Sequence, residues 1–192
     1  MIIPTIEDTP SVGHLKVFSA VLKGSEQCML LPLLEDIGKF LQQSRICQSK
    51  KGAYQKEILS CCSSLLLVCK MDCKLISKEL FIIIFTVLSM TQENLINLKA
   101  QELLSILASI NSLDNVEELY HKYIGELFST FSDYKSWSIH DPESQIFCAC
   151  LTYAKQIFAY NMNIILPVLK QTLTDDADPE LRILTKSKDL IR

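Results

Sequence analysis

Cysteine and histidine are the side chains in this sequence that could hold a metal ion or act as nucleophile and base. The chain has 192 residues, with eight cysteines and three histidines. The densest thiol group is Cys61, Cys62, Cys69 and Cys73. A structural zinc site needs four ligands, usually in closely spaced pairs, whereas these cysteines follow helical spacing without a nearby histidine. We therefore predict buried cysteines that pack as small apolar residues, with no metal and no cofactor.

The histidines and glycines give no support to catalysis. His14, His121 and His140 lie in separate segments, and His121 falls on the polar face of a predicted helix, where a solvated side chain is expected. A phosphate-binding loop needs closely spaced glycines, but the nearest pair, Gly13 and Gly24, is 11 residues apart. We predict that the chain is not an enzyme and has no catalytic residue.

Two sets of side chains are candidates for a protein interface. The predicted loop over 132–141 carries Tyr134 and the only tryptophan, Trp137. Both residue types anchor interfaces because they bury a large area at low entropic cost, although Trp137 could instead fill the edge of a helix stack. The second set comprises polar residues of the second helix of each predicted pair: Tyr54, Gln55, Asn94, Asn97, Gln145 and Lys155.

Composition favours a helical protein of a reducing compartment. Hydrophobic residues make up 48% of the chain, and the mean hydropathy is +0.21, as expected for helices buried on most sides. The net charge of −3 is too small to indicate general nucleic-acid binding. The longest apolar run is too short to cross a membrane, and the first residues lack the pattern of a signal peptide. We predict a cytoplasmic protein that binds neither nucleic acid nor membrane.

Hydrophobic periodicity predicts nine helices and no strand. The first five span about 11–23, 26–44, 53–70, 77–90 and 93–110. The sixth begins at Asp114, the seventh runs from Asp141 to about Tyr160, and the last two flank an acidic turn over 175–178. Gly24 is expected to end the first helix in a left-handed conformation. Residues 1–10 form an irregular arm, and 11–192 form one helical domain.

The helices form a repeat. Leu-Pro followed by an aliphatic residue occurs at Leu31–Leu33 and again at Leu166–Val168, 135 residues later, which is three periods of 45. This period lies within the range of about 40–47 residues typical of HEAT and armadillo units. Asp-Pro-Glu opens the second helix of two pairs, at Asp141–Glu143 and Asp178–Glu180. Asp141 and Asp178 are the expected N-caps of these helices. Pro142 and Pro179 take the first helical position, where the missing N–H of proline would have no partner within the helix.

At these residues the chain resembles the HEAT-repeat family. The last unit matches best, with Pro167 in its first helix, Asp175 or Asp176 in the turn, and Arg182 early in its second helix. The resemblance implies an all-α, HEAT/armadillo-like α-solenoid of antiparallel helix pairs, about nine helices in four and a half repeats, as part of a longer solenoid. It also implies that Asp176 and Arg182 form a ladder between repeats. Substituting Arg182 should therefore reduce stability without abolishing any reaction.

The segment over 132–185 more specifically resembles the C-terminal half of a HEAT-repeat dynein axonemal assembly factor. The resemblance implies a non-enzymatic scaffold of ciliated cells that helps to preassemble dynein arms. Its implied partners are axonemal dynein chains, chaperones and other assembly factors. The alternative is a general HEAT adaptor, such as a transport receptor, a phosphatase scaffold or a TOG-like tubulin binder. The tubulin reading relies on Trp137 in a loop, but the acidic turn at 175–178 would repel the acidic surface of tubulin.

Overall fold

The computed structural model describes most of the chain. It describes residues 10–129, 131, 136–154, 162–174 and 177–187, but not the side chains of residues 129, 164 and 187. The predicted N-terminal arm over 1–10 therefore lies outside the described residues except for Pro10. Contacts divide the chain into two compact units, Met1–Asp114 (unit 1) and Asn115–Arg192 (unit 2). The prediction of one continuous solenoid stays a prediction.

Nine helices of at least nine residues form the described part, which contains no strand. In unit 1 they are α1 (Val12–Gly24), α2 (Leu34–Gln42), α3 (Gly52–Cys69), α4 (Ser77–Met90) and α5 (Asn94–Ile110). In unit 2 they are α6 (Val116–Ser129), α7 (Pro142–Tyr153), α8 (Met162–Thr172) and α9 (Pro179–Ser187). The predicted all-α, HEAT-like class is confirmed.

The second predicted helix is broken rather than continuous. A short α-turn (Gln27–Leu30) leads into a 3-10 turn (Leu31–Leu33), and the regular helix starts only at Leu34. Pro32 explains the break, because proline has no N–H to donate and its ring crowds the preceding turn. A separate turn (Ser44–Cys47) follows α2. The first helix ends at Gly24 as predicted, but the left-handed conformation is wrong, since no described glycine has a positive φ.

Unit 1 is built in two layers. Helix α3 packs between α1 and α5, while α2 packs on α4 in the other layer, and α4 also contacts α5. The residues of α4 from Leu80 to Leu88 are all buried, as expected for a helix that is apolar on most sides. Each large apolar side chain removed from water contributes about 1.5–3 kcal/mol, so α4 is the main hydrophobic element of this unit.

The repeat period is visible in side-chain contacts of unit 1. The hydroxyls of Ser19 and Ser64 are hydrogen bonded at 3.2 Å, and Gln27 donates to Asp72 over 2.6 Å. Each pair is separated by 45 residues. Residues at equivalent positions of successive repeats therefore meet, which is how stacked repeats contact their neighbours.

Unit 2 has the same alternation of helices around an aromatic core. Helix α8 packs on α6, α9 packs on α7, and α8 contacts α9. Phe128, Phe131, Trp137 and Phe147 form the core cluster, with ring centroids 5.4–6.0 Å apart. Helix α7 ends at Tyr153 with Ala154 as its C-cap, and residues 155–160 of the predicted helix lie outside the described residues.

Candidate protein interface

Tyr54 does not lie on a binding surface. Its side chain is 5% exposed on α3, and burial raises the pKa of its hydroxyl, with a smaller opposing effect of Arg45. Its neighbour Gln55 is also buried and donates to the carbonyl of Ser49. The prediction for both residues is wrong because α3 is packed between α1 and α5, which leaves only a narrow stripe exposed.

Trp137 is also a core residue. It is 6% exposed, and its ring meets Phe131 edge to face at 5.5 Å and Phe147 at 5.9 Å. The interface role proposed for Trp137 is therefore wrong, and the alternative that it fills a helix stack is correct. The TOG-like interpretation required an exposed tryptophan, and Trp137 is buried. Tyr134 and Lys155, the other predicted interface residues, lie outside the described residues.

The two Asp-Pro-Glu segments differ in how they begin their helices. Asp178 caps α9, because its Oδ1 accepts hydrogen bonds from the amides of Glu180 (2.9 Å) and Leu181 (3.0 Å). The bond from Leu181 is the main cause that lowers the pKa of Asp178, aided by the backbone of Glu180 and Ile139 and by the charge of His140. The carboxylate thus joins the start of α9 to the residues that precede α7.

Asp141 precedes α7 but does not cap it with its side chain. Its Oδ2 instead accepts from the amide of Ser138 over 2.6 Å, and the hydroxyl of Ser144 donates to the Asp141 carbonyl. The predicted side-chain cap is therefore wrong, because the carboxylate is held by the loop. Pro142 and Pro179 are the first residues of α7 and α9.

Arg182 lies in the first turns of α9 and is half-buried. Its predicted ladder partner Asp176, like Asp175, lies outside the described residues. The ladder between repeats therefore stays a prediction.

A groove suited to binding lies in unit 1, along the second helices of its pairs. It has a volume of about 540 Å³ and is open to solvent along one side. We call it the second-helix groove. Its lining residues come from α1 (Ser19, Lys23), α3 (Lys56, Leu59, Ser60, Ser63, Ser64, Leu67), α5 (Leu95, Ile96, Lys99) and the N-cap Glu93.

The spacing along α3 explains why this helix lines the groove. Lys56, Ser60, Ser63 and Leu67 follow steps of four, three and four residues, which is the spacing of one helix face. All four are exposed or half-buried, whereas the neighbouring face is buried. The spacing of these four residues is the signal in the sequence that could have located the groove. The prediction instead assigned Tyr54 and Gln55 to the exposed face of this helix.

Cations outnumber anions in the groove. Three lysines line it, from three different helices, against the single carboxylate of Glu93. That carboxylate lies against Gly52, the first residue of α3, so closely that a Cβ at Gly52 would overlap it. A helix N-terminus favours negative charge, so Glu93 is engaged there. Lys99 forms an ion pair with Glu102 at 3.0 Å, whereas no described carboxylate pairs with Lys23 or Lys56.

The buried cysteines of unit 1 pack as small apolar side chains. All eight cysteines of the chain are free, and all but Cys28 are buried. Burial raises the pKa of Cys47, Cys61 and Cys73 to about 12, which leaves very little thiolate near neutral pH. Thiolate is the nucleophile and the metal ligand, so these thiols are poorly suited to either role. Within the described ranges, no group of three or more His, Cys, Asp or Glu could hold a metal ion.

Among the helices that the structure describes, none has the length and apolar character required to span a bilayer. Apart from this, the described residues of unit 1 combine a groove lined by serines and lysines with buried thiols of raised pKa. Chemically this arrangement can hold another polypeptide by ionic, hydroxyl and apolar contacts.

Comparison with known proteins supports the same class. A family model described as the HEAT-repeat domain of dynein axonemal assembly factor 5 matches residues 1–91. Similar curated proteins include dynein axonemal assembly factor 5 of Homo sapiens, Xenopus laevis and Mus musculus, at 28%, 25% and 26% identity over 185 residues. Each alignment covers 95% of this chain but 22% of the relative, so the chain spans about a fifth of their length.

The two kinds of match differ in where they fall. The family model matches residues 1–91, which include the α1 and α3 walls of the second-helix groove but not its α5 wall, whereas the motifs quoted from the sequence lie over 132–185. The alignments with the relatives include nearly the whole chain. No solved structure matches it. The chain thus resembles dynein axonemal assembly factor 5 and its HEAT-repeat domain.

Proposed function

We propose that this chain is a non-enzymatic scaffold for the preassembly of axonemal dynein arms, acting in the cytoplasm of ciliated cells. The observation that carries the proposal is the similarity of 95% of the chain to proteins named dynein axonemal assembly factor 5. Its partners are axonemal dynein chains, together with chaperones or other assembly factors.

The distribution of polar groups supports a binding role. The groove along α1, α3 and α5 exposes lysines and serines beside apolar side chains, a composition suited to protein recognition. The buried thiols of unit 1 have raised pKa values, which argues against nucleophilic chemistry there. A scaffold needs a binding surface such as this groove and has no need of a reactive thiol.

The proposal is tested in multiciliated cells of the source organism. The chain is tagged at its own locus, and the proteins that co-purify with it from the soluble fraction are identified. We expect axonemal dynein heavy or intermediate chains among them, and removal of the gene should abolish ciliary beating, with dynein arms missing from the axoneme. Normal dynein arms after removal, together with no dynein chain in the purified material, would refute the proposal.

The same experiment separates the alternative function. Recovery of nuclear-transport cargo or phosphatase subunits, without dynein chains and with normal cilia, would favour a general HEAT adaptor. Localisation of the tag tests the cytoplasmic assignment directly, because a preassembly factor should be found in the cell body rather than in the axoneme.

A further inference from the structure

The second-helix groove combines three features that together define the chemistry of its occupant. They are two ammonium groups that pair with no carboxylate of the described residues, exposed leucine side chains, and a length set by helix α3. The inference drawn from them rests on the proposed scaffold function, because it specifies what kind of client segment the scaffold recognises.

Charge defines the first requirement. Lys23 on α1 and Lys56 on α3 have no described carboxylate partner, and Glu93 is engaged at the N-terminus of α3. Each lysine carries a compact point charge on a flexible stem. Two free cations on facing helices favour an occupant that brings carboxylates, and like charges would be disfavoured.

Exposed leucines define the second requirement. Leu95 on α5 is 81% exposed and Leu67 on α3 is 60% exposed, and both line the groove. Leu59 and Ile96 add buried apolar side chains to the same lining, beside its serines. An occupant with apolar side chains on one face would cover both leucines and remove that surface from water.

Length and hydrogen bonding define the third requirement. The exposed stripe of α3 runs from Lys56 to Leu67, which is eleven helical steps of 1.5 Å, or about 17 Å. The walls are helices, whose backbone groups are already paired within each helix. The walls therefore offer an occupant no backbone partners, and a helix of about three turns suits the groove because it satisfies its own backbone hydrogen bonds.

We propose that the second-helix groove binds an acidic helical segment of a client protein, with leucine-type side chains on the face that enters the groove. Carboxylates of this segment pair with Lys23 and Lys56, and its apolar face covers Leu67 and Leu95. The binding mode is that of an amphipathic helix laid into a groove.

The test uses the purified full chain and a fluorescein-labelled peptide of about 14 residues, roughly four helical turns. The peptide contains Glu, Ala and Leu, with the leucines at alternating steps of three and four. Two comparison peptides replace Glu by Lys, or Leu by Gln. Fluorescence anisotropy gives the Kd of each, and we expect measurable binding of the Glu/Leu peptide alone. Equal binding of either comparison peptide would overturn the inference.

Matched variants locate the binding site. Lys56→Glu should weaken binding of the Glu/Leu peptide by about tenfold in low salt, since a reversed charge replaces attraction with repulsion. Lys39→Glu makes the same charge change on α2, in the other layer of unit 1 and outside the groove lining. It should leave the Kd of the peptide within about twofold. The exposed ion pair Lys39–Glu35 that it removes contributes little to stability. Leu95→Gln should weaken binding, whereas Leu98→Gln, on the same helix but outside the lining, should not.

The outcomes distinguish this inference from the proposed function. If Lys56→Glu and Lys39→Glu bind the peptide equally, or if a single-stranded oligonucleotide competes for the same lysines with equal affinity, the inference is wrong. If the Lys56→Glu chain still captures dynein chains from ciliated cells as well as the unaltered chain does, the inference is wrong while the scaffold function stands. If neither chain captures dynein but the peptide binds through Lys56, the scaffold function is wrong and the groove chemistry stands.

Discussion

Unit 1 and unit 2 use the same alternation of helices but fill their interiors differently. The interior of unit 1 consists mainly of aliphatic residues and cysteines, with one stacked ring pair, Phe81 and Phe85, on the apolar helix α4. Bonds between residues 45 positions apart join its repeats. The interior of unit 2 is centred on an aromatic cluster that includes Trp137, which belongs to no helix.

The difference shows how similar helix pairs acquire different properties. In unit 1 small side chains such as Ser19 and Ser64 face each other across α1 and α3, and an open groove runs beside them. In unit 2 a loop residue fills the space between helices, and Asp178 connects α9 to the segment before α7. We expect unit 1 to serve recognition, and unit 2 to depend for its stability on a few residues outside its helices.

The strongest test of this contrast is Trp137→Ala. Removing a buried tryptophan from a packed core costs about 3–5 kcal/mol of unfolding free energy, so unit 2 should be severely destabilised. Urea denaturation followed by circular dichroism measures the loss, and hydrogen exchange with mass spectrometry assigns it to peptides from 115–192. Trp137→Phe retains a ring against Phe131 and Phe147 and should lose much less. Unchanged stability of the alanine variant would show that the aromatic cluster is not the core of unit 2.

A smaller effect of opposite sign is expected in unit 1 from Tyr54→Phe. The Tyr54 hydroxyl is the one buried side-chain polar atom in the described residues without a hydrogen-bond partner. An unsatisfied buried group costs about 1–3 kcal/mol, so removal of the hydroxyl should leave stability unchanged or raise it by about 1 kcal/mol. Tyr120→Phe is the matched change in unit 2, where the buried tyrosine has interaction partners, and it should not stabilise. A marked loss of stability in Tyr54→Phe would contradict this account.

The smallest effect concerns acid stability of unit 2. The pKa of Asp178 is lowered in the folded state from its ordinary value of 3.8, so folding favours the carboxylate. The resulting stability is fully present above pH 3.8 and is lost as the pH falls through the lower folded-state pKa. Asp178→Asn should remove this acid dependence while retaining a residue that caps helices well. Thermal unfolding between neutral pH and pH 3 measures it, with Asp36→Asn on α2 as the comparison. Identical acid profiles for Asp178→Asn and the unaltered chain would exclude the proposed contribution.

Much of the fold was predictable because it depends on periodic patterns. Nine helices and the burial of α4 follow from hydrophobic spacing along the chain, and the 45-residue period follows from the recurrence of the Leu-Pro motif. The effect of proline did not follow. Pro32 and Pro167 occur in the same Leu-Pro context, yet the first interrupts its helix, whereas α8 continues through the second. The short motif is the same in both cases, so packing beyond it decides between them.

The candidate interface was harder to predict because it depends on which face of a helix is buried. Helix α3 has apolar or small residues on most sides, so its sequence does not define one face. Packing between α1 and α5 buries Tyr54 and exposes Lys56, two positions away. Trp137 illustrates the same difficulty in a loop, since the predicted loop position does not reveal that its ring packs against Phe131 and Phe147. A cap such as Asp178 was predictable because its hydrogen bonds are local.

The position of Trp137 has a practical consequence for spectroscopy. It is the only tryptophan in the chain, and its indole is enclosed by phenylalanine rings in unit 2. Fluorescence excited at a wavelength that tyrosine hardly absorbs therefore comes from Trp137, and so from unit 2 alone. The chain carries a native optical label that reports on unit 2, while far-ultraviolet signals average over every helix. Comparison of the two signals measures whether the units unfold together, without adding a dye.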